Sequence, residues 1–196
     1  MISKILAFLL LIILSPLLFL LFIVIKTTSQ GPFIFKQMRA GKNKKIFFIY
    51  KMRSMVTNAE NIRKNYIHLN EANGPVFKIA NDPRYTKIGR ILSKTGFDEL
   101  PQLINIVKGE MSFVGPRPLL INESNKIPKK YQKRFTVLPG ITSLWVIKGS
   151  HNLSFKEWME LDMFYVKNRS LLLDLYIVLN TIILLLKAPF RLIKNK

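Results

Sequence analysis

Thr95-Gly96-Phe97-Asp98-Glu99-Leu100-Pro101-Gln102-Leu103-Ile104-Asn105-Ile106-Val107-Lys108-Gly109 is the stretch on which the reading of this chain turns. Leu100, Leu103, Ile104 and Val107 recur at i, i+3, i+4 and i+7, the spacing of an amphipathic helix that Gly109 would end. Pro101 fits the first turn of such a helix, where a missing amide donor costs little. Asp98 and Glu99 then stand at the helix mouth, and Thr95 precedes Asp98 as a capping box requires. Acids placed there complement the helix dipole, which is a sufficient structural reason for them. There is also a chemical one. The chain carries 31 Lys plus Arg against 11 Asp plus Glu, for a net charge of +20. Adjacent carboxylates amid so many cations are what phosphoryl chemistry at a carboxylate needs.

Length and composition bound the alternatives. A chain of 196 residues predicts one domain with attachments, long enough to bury a core without staples. Cysteine is absent, which excludes disulfides and thiolate metal sites. His68 and His151 have no ligand-spaced partner and read as surface or packing residues. The basic excess suits nucleic acid, anionic lipid or phosphorylated substrates, and composition does not choose among them. No Walker-type glycine loop is present to support ATP-driven chemistry.

Ile5 to Ile25 holds no charged side chain and reaches the ~20 residues a bilayer-crossing helix needs. It is too long for the apolar region of a signal peptide, and no small-x-small cleavage site follows it. Ser15-Pro16 interrupts the run. Proline removes a backbone donor, and the serine hydroxyl can take a freed carbonyl, so a kink is predicted. Lys4 precedes the run and Lys26 follows it, and positive charge on both sides favours a re-entrant hairpin with both ends in the cytoplasm. A kinked spanning helix is the alternative. Leu171 to Leu186 is apolar but broken by Asp174 and Asn180, then followed by Lys187, Arg191, Lys194 and Lys196. It reads as an interfacial helix of anionic-lipid-facing character, with a second membrane segment as the other reading.

Between these segments, Phe33 to Gln37 and Lys45 to Met52 read as strands of a hairpin turning over Arg39 to Lys44. Asn58 to Asn70, Thr86 to Leu92 and Ser154 to Lys167 read as helices. Asn73-Gly74-Pro75, Asn81-Asp82-Pro83-Arg84 and Pro139-Gly140-Ile141-Thr142 read as turns. The basic run Pro128 to Phe135 suits a solvated face or lipid headgroups equally. In Ser112 to Pro118, Pro116 and Pro118 bracket Arg117 and restrict the backbone on both sides, which would hold a guanidinium ready for a ligand or merely make a rigid connector. The fold class is α+β and predominantly helical. Residues 1–30 form the membrane anchor, and 31–196 form a cytosol-facing domain ending in an interfacial helix at about 170–190.

Taken in order, Gln37-Met38-Arg39-Ala40-Gly41, Tyr50-Lys51-Met52-Arg53-Ser54-Met55, Asp82-Pro83-Arg84-Tyr85-Thr86-Lys87-Ile88-Gly89-Arg90, Asp98-Glu99-Leu100-Pro101-Gln102, Met111-Ser112-Phe113-Val114-Gly115-Pro116-Arg117-Pro118, Pro139-Gly140-Ile141-Thr142 and Asp162 with Tyr165-Val166-Lys167-Asn168 resemble the bacterial sugar transferases, the monotopic phosphoglycosyl transferases. The resemblance spans nearly the whole chain. It implies the minimal catalytic form, without the extra membrane domain that larger relatives carry, anchored in the bacterial cytoplasmic membrane with its catalytic face in the cytoplasm. It also implies that the Ser15-Pro16 break turns the first helix back on itself.

The activity implied by that resemblance is transfer of a sugar-1-phosphate from a UDP-sugar to polyprenyl (undecaprenyl) phosphate, with release of UMP. The product would pass to downstream glycosyltransferases of polysaccharide or glycoconjugate synthesis. Asp98 would be the nucleophile forming an aspartyl phosphosugar, and Glu99 its metal or orienting partner, with Mg2+ held by Asp98 and Glu99. Arg117 is the first candidate for a phosphate clamp. Lys51, Arg53, Arg84, Arg90 and Lys94 are further candidates, and Asp162 would orient an arginine or the metal. Ser93 stands where relatives usually carry arginine, and Ser143, Val146 and Gly149-Ser150 depart from the usual pattern after Pro139-Gly140-Ile141-Thr142, which points to altered nucleotide or sugar contacts. A membrane-tethered basic scaffold or nucleic-acid-binding protein is the contrasting reading, one that would show steep salt dependence and no need of Asp98.

Overall fold

The structure of the chain, a computed structural model, describes residues 1–149 and 153–194, with side chains as far as Ala188. Ser150, His151 and the side chains of the C-terminal basic residues therefore lie outside the described residues.

The apolar N-terminal run forms two helices, α1 (Ile2–Ile13) and α2 (Ser15–Thr28), bent by 59° at Leu14. Pro16 sits in the first turn of α2, and the Ser15 hydroxyl donates to the Ile12 carbonyl at 2.7 Å. That carbonyl is the one four residues before the proline, so the serine takes the acceptor that proline leaves without an amide. Strands β1 (Ile34–Ala40) and β2 (Ile46–Met52) pair antiparallel in a register running from Ile34 opposite Met52 to Ala40 opposite Ile46. The first strand is longer than its sequence suggests, because Arg39 and Ala40 also pair with a third strand at Leu119–Leu120.

After β2 come Asn61–Leu69, wound as a 3-10 run, and α3 (Lys87–Thr95). The predicted α-helix over 58–70 is thus tighter than expected. Ile67 and Leu69 stay exposed there, so the segment lacks the buried stripe that stabilises an α-helix. In α3 the Thr86 hydroxyl accepts from the Gly89 amide at 2.9 Å, a regular N-cap.

Strand β3 (Ser112–Val114) follows α4 (Leu103–Lys108), and β4 (Leu119–Leu120) leads into the short α5 (Ile121–Asn125). Lys129–Thr136 is again a 3-10 run, and β5 (Gly140–Thr142) lies parallel to β3. The sequence treats both members of that pair as loop or turn. Gly115 and Gly140 explain the difference, since a Cβ on either would collide with the other segment's backbone. The two chains can lie side by side only as glycines. Helices α6 (Leu144–Ile147), α7 (Phe155–Asn168) and α8 (Leu171–Lys194) complete the chain. Ser154 and Glu157 form a full capping box at the start of α7, with the Ser154 amide donating to Glu157 at 2.8 Å.

Two apolar clusters join the N-terminal helices to the body. Ala7, Leu10 and Leu11 of α1 and Leu14 at the bend pack on Phe47, Ile49, Leu103, Ile106 and Met111. Ile25, Leu18 and Leu21 of α2 pack on Met52, Leu92, Ile88 and Leu100. The opposite faces of both helices, including Phe8, Leu9, Phe19 and Leu20, are exposed. Helix α8 likewise buries Ile177 while exposing Leu172, Leu175, Leu179, Ile183 and Leu186, and Leu171–Ala188 is long and apolar enough to cross a membrane. Asp174 and Thr181 turn toward the body. Asp174 accepts from Tyr165 at 2.8 Å, and the Thr181 and Thr142 hydroxyls lie 2.6 Å apart.

Candidate active site

The decisive stretch does not form one helix. Gly96 adopts the left-handed conformation (φ 74°) and ends α3, Phe97–Gln102 makes a 3-10 turn, and α4 begins only at Leu103. The expected capping box is absent, because the Thr95 hydroxyl turns back to the Ile91 and Leu92 carbonyls at 2.8 and 3.1 Å. Asp98 and Glu99 therefore lie within a tight turn upstream of a short helix. Side-chain cations, more than a helix dipole, set their electrostatics.

Strand β2 supplies the first cation. Lys51 Nζ lies 2.6 Å from Glu99 Oε1. The strand is pinned to α4 by Asn105, fully buried, whose Oδ1 accepts from the Tyr50 amide at 3.1 Å while Nδ2 donates to the Phe48 carbonyl at 2.7 Å and to Glu110 at 2.7 Å. A side chain thus replaces the missing strand neighbour on the edge of β2, and the lysine comes to rest over the acidic turn.

Arg117 supplies the second cation, its Nη1 lying 3.3 Å from the same Glu99 oxygen. The three carbonyls around it are all occupied. Pro116 accepts from the Gly140 amide at 3.1 Å, Arg117 from Arg134 Nη2 at 2.9 Å, and Pro118 from Arg39 Nη1 at 3.2 Å. Prolines restrict this backbone and three donors fix it, with Pro116 and Pro118 both buried. The guanidinium remains one-third exposed.

Asp162 carries the support one step further out. Its Oδ2 accepts from Arg134 Nε and Nη2 at 2.9 and 2.7 Å, both partners nearly fully buried. The expectation that Asp162 orients an arginine matches this geometry, and the arginine is Arg134, which sequence reasoning placed on a solvated or lipid-facing run.

The two acids respond oppositely to one environment. Burial pushes the Asp98 carboxyl up to about 6, with the Glu99 charge adding to the shift and Lys51 and Arg117 opposing it. Burial works against ionisation of Glu99 as well, but Lys51 and Arg117 outweigh it and hold that carboxyl well below its ordinary range, at about 2.

Other cations crowd the same place. Burial and the Arg117 charge lower Lys78 to about 8, and the same two causes lower Arg39 to about 10. Lys78 and Arg117 lie 5.2 and 5.6 Å from the Trp145 ring centroid, and Trp145 stacks on Trp158. Tyr85 exchanges a 2.8 Å hydrogen bond with Ser93. Lys78, Trp145 and Tyr85 were not foreseen as site residues, since cation–aromatic proximity has no spacing signature in a sequence.

Two expected phosphate ligands are engaged elsewhere. Arg84 donates to Asp82 at 2.9, 3.2 and 2.6 Å and to the Ala59 carbonyl at 3.1 Å. Arg53 binds backbone carbonyls at the end of α2. Arg90 and Lys94 are exposed on α3 and line the cleft without an ion pair among the described residues. The cleft, of about 2500 Å3, has Lys51, Arg117, Asp98, Glu99 and Tyr85 on its polar side. Leu6 and Leu10 of α1, Leu14 at the bend, and Leu175, Val178 and Ile182 of α8 line its apolar side.

The site is thus an acid pair, Asp98 buried and Glu99 half-buried, facing surplus cations in a largely apolar cleft. The bacterial sugar transferase family matches residues 1–188. The chain belongs to that family. It is 44% identical over 153 residues to the galactosyl transferase CpsE of Streptococcus agalactiae, covering 78% of the chain and 34% of the relative. It is 38% identical over 179 residues to the undecaprenyl-phosphate galactose phosphotransferase of Salmonella typhimurium, covering 87% and 37%. The exopolysaccharide production protein ExoY of Sinorhizobium fredii is 38% identical over 180 residues, covering 90% and 80%. The chain thus spans about a third of the first two relatives and most of the third. The family is one of sugar transferases.

The donor set allows a test of the expected magnesium. No group of three metal-binding side chains occurs among the described residues, and Glu99 Oε1 is already shared by two cations. Asp98 and Glu99 therefore fit a hard cation that takes its remaining ligands from water and substrate phosphate, as magnesium does, and do not fit an all-protein cage.

Proposed function

We propose that the chain moves a sugar-1-phosphate from a UDP-sugar to polyprenyl phosphate through a covalent intermediate on Asp98. The observation carrying this reading is the division within the acid pair. Glu99 is matched by Lys51 and Arg117, whereas Asp98 is buried with its carboxyl raised, in a cleft rich in cations. A carboxylate so placed is poorly solvated and therefore a stronger nucleophile.

In the first step an ionised Asp98 oxygen forms a bond to the β-phosphorus of the donor. The bond to the α-phosphate bridging oxygen breaks, and UMP leaves with the electron pair. In the second, an oxygen of polyprenyl phosphate attacks the same phosphorus and Asp98 departs as a carboxylate. Neither step needs a strong base, so Glu99 serves to hold Lys51 and Arg117 in register. Arg117 and Lys51 would neutralise charge developing on the phosphoryl oxygens, with Lys78 and Arg39 adding to the field. Magnesium, held by Asp98 and Glu99, would supply further neutralisation at the diphosphate.

The cleft's two sides suit its two substrates. Polar residues face the diphosphate, and the α1 and α8 leucines offer an apolar wall to a polyprenyl chain. The bent pair α1–α2 would enter and leave one leaflet, with α8 lying at the interface and the body on the cytoplasmic face. Relatives named for galactose put UDP-galactose first in a panel of donors. The test is UMP release from UDP-galactose, UDP-glucose and UDP-N-acetylhexosamines with undecaprenyl phosphate as acceptor. Release that needs magnesium and disappears in Asp98→Asn supports the reading. Undiminished turnover in that variant would end it.

A further inference from the structure

Arg53 is 5% exposed and has no carboxylate partner among the described residues. Its Nη2 donates to the carbonyls of Ser29 (2.6 Å) and Ile25 (3.3 Å) and to the Ser29 hydroxyl (2.9 Å), and its Nη1 donates to the Pro32 carbonyl at 2.8 Å. Ser29 is the residue that ends α2 and Ile25 lies in its last turn, where the Ile25 carbonyl also takes the Ser29 amide and where positive charge is favoured. The guanidinium therefore caps the membrane-side helix from within the catalytic body. Gly31 makes room for it. Its φ is +114°, and a Cβ there would lie 2.6 Å from Arg53 Nη1.

Arg53 follows Met52 and Lys51 on one stretch of chain. Lys51 touches Glu99, Met52 packs on Ile25 of α2, and Arg53 holds the end of α2. The acidic turn is reached from the other side as well. Leu100, next to Glu99, packs in the same cluster as Ile25 and Met52, while Leu103 packs against α1. Three successive residues thus connect the seating of α2 to the cation that sets Glu99.

We propose that Arg53 is a positioning residue that makes the placement of Lys51 on Glu99 depend on the seating of α2. Losing the clamp frees the end of α2, loosens Met52 against Ile25 and lets Lys51 leave its 2.6 Å contact. The proposal rests on Asp98 and Glu99 being the reacting pair. A planar fork engaging several carbonyls is replaced only in part by lysine, which reaches fewer of them from a single point.

The test uses the full chain in lipid nanodiscs. Because cysteine is absent, spin labels at Thr28→Cys on α2 and Lys87→Cys on α3 report only the chosen pair. Arg53→Gln should broaden the label distance distribution and lower kcat by about ten-fold or more, the effect of a misplaced catalytic group, while KM for the best donor of the panel stays within about two-fold. Arg53→Lys should recover part of both. Gly31→Ala, which leaves Arg53 in place but crowds its guanidinium, should mimic Arg53→Gln, and it carries the test with Arg53→Lys if the glutamine variant does not accumulate.

A raised KM with unchanged kcat would overturn the proposal in favour of a substrate contact at Arg53. So would a lowered kcat with an unchanged distance distribution. Asp98→Asn on the same carrier separates the two readings. It should lose turnover with an unaltered distribution. Turnover retained there would remove the reaction assignment, and the label distances alone would then decide whether Arg53 seats α2.

Discussion

Asp82 and Asp98 are both buried aspartates in a strongly basic protein, and their surroundings could hardly differ more. Asp82 receives Nε and Nη2 of Arg84 along with the Arg84 amide, and although burial opposes its charge, these contacts leave its carboxyl below the ordinary range. Asp162 is matched in geometry by Arg134, although there burial outweighs the arginine and leaves the carboxyl raised. Asp98 has no such arginine among the described residues. The nearest cations, Lys51 and Arg117, are bonded to Glu99, and burial leaves the Asp98 carboxyl raised. An acid matched one-to-one by a cation shapes the fold, whereas an acid beside cations bonded to its neighbour is available for chemistry. Arg134 shows how the two kinds connect, since the cation closing the Asp162 pair also fixes the carbonyl of Arg117.

The largest expected effect separates the two classes most sharply. Asp98→Asn should lower turnover by at least about a thousand-fold, as loss of a covalent nucleophile does. It should leave Tm unchanged or raised. The sign follows from linkage. A carboxyl raised in the folded state binds its proton more tightly there, so its cost is absent below the usual carboxylate range and complete above about 6. Thermal melts at pH 7 check this, and a large fall in Tm would place Asp98 with Asp82.

Asp162→Asn should do the reverse, destabilising the fold by about 3–5 kcal/mol because it strands buried Arg134. Replacing both by apolar residues of similar volume should cost less, and chemical denaturation of single and double variants reads the difference. Lys51→Met comes next, with kcat reduced about a hundred-fold, on the scale of losing one electrostatic stabiliser. The pH profile is gentler still. Turnover requires ionised Asp98, so it should fall about ten-fold per unit below pH 6 and level off above. The smallest effect belongs to the exposed pair Lys156–Glu160 at 3.9 Å, whose loss should change stability by less than about 0.5 kcal/mol.

Features set by local chemistry were legible before any coordinates. The Ser15-Pro16 break, the helices beginning near Thr86 and Ser154 and the β1–β2 hairpin all follow from residues within a few positions of one another. The restraint on Arg117 was legible too, because prolines act on their own backbone. What closes that restraint was not. The carbonyl partners of Pro116, Arg117 and Pro118 come from Gly140, Arg134 and Arg39, 17 or more residues away in the two cases where a side chain donates to the 116–118 loop from Arg134 or Arg39. Asn105 was likewise read only as part of a helix, although it holds β2 against α4. The capping-box reading failed at Thr95 for a local reason of another kind, since Gly96 in a left-handed conformation starts the chain in a new direction.

The central claim, that Asp98 is the group left for chemistry, is tested most directly by intact-protein mass spectrometry of the chain incubated with a UDP-sugar and magnesium but no acceptor. The account predicts a mass gain of one sugar phosphate, located by peptide mapping on Asp98, discharged on adding undecaprenyl phosphate and absent in Asp98→Asn. An adduct on another residue, or full turnover by the Asp98→Asn protein, would contradict it.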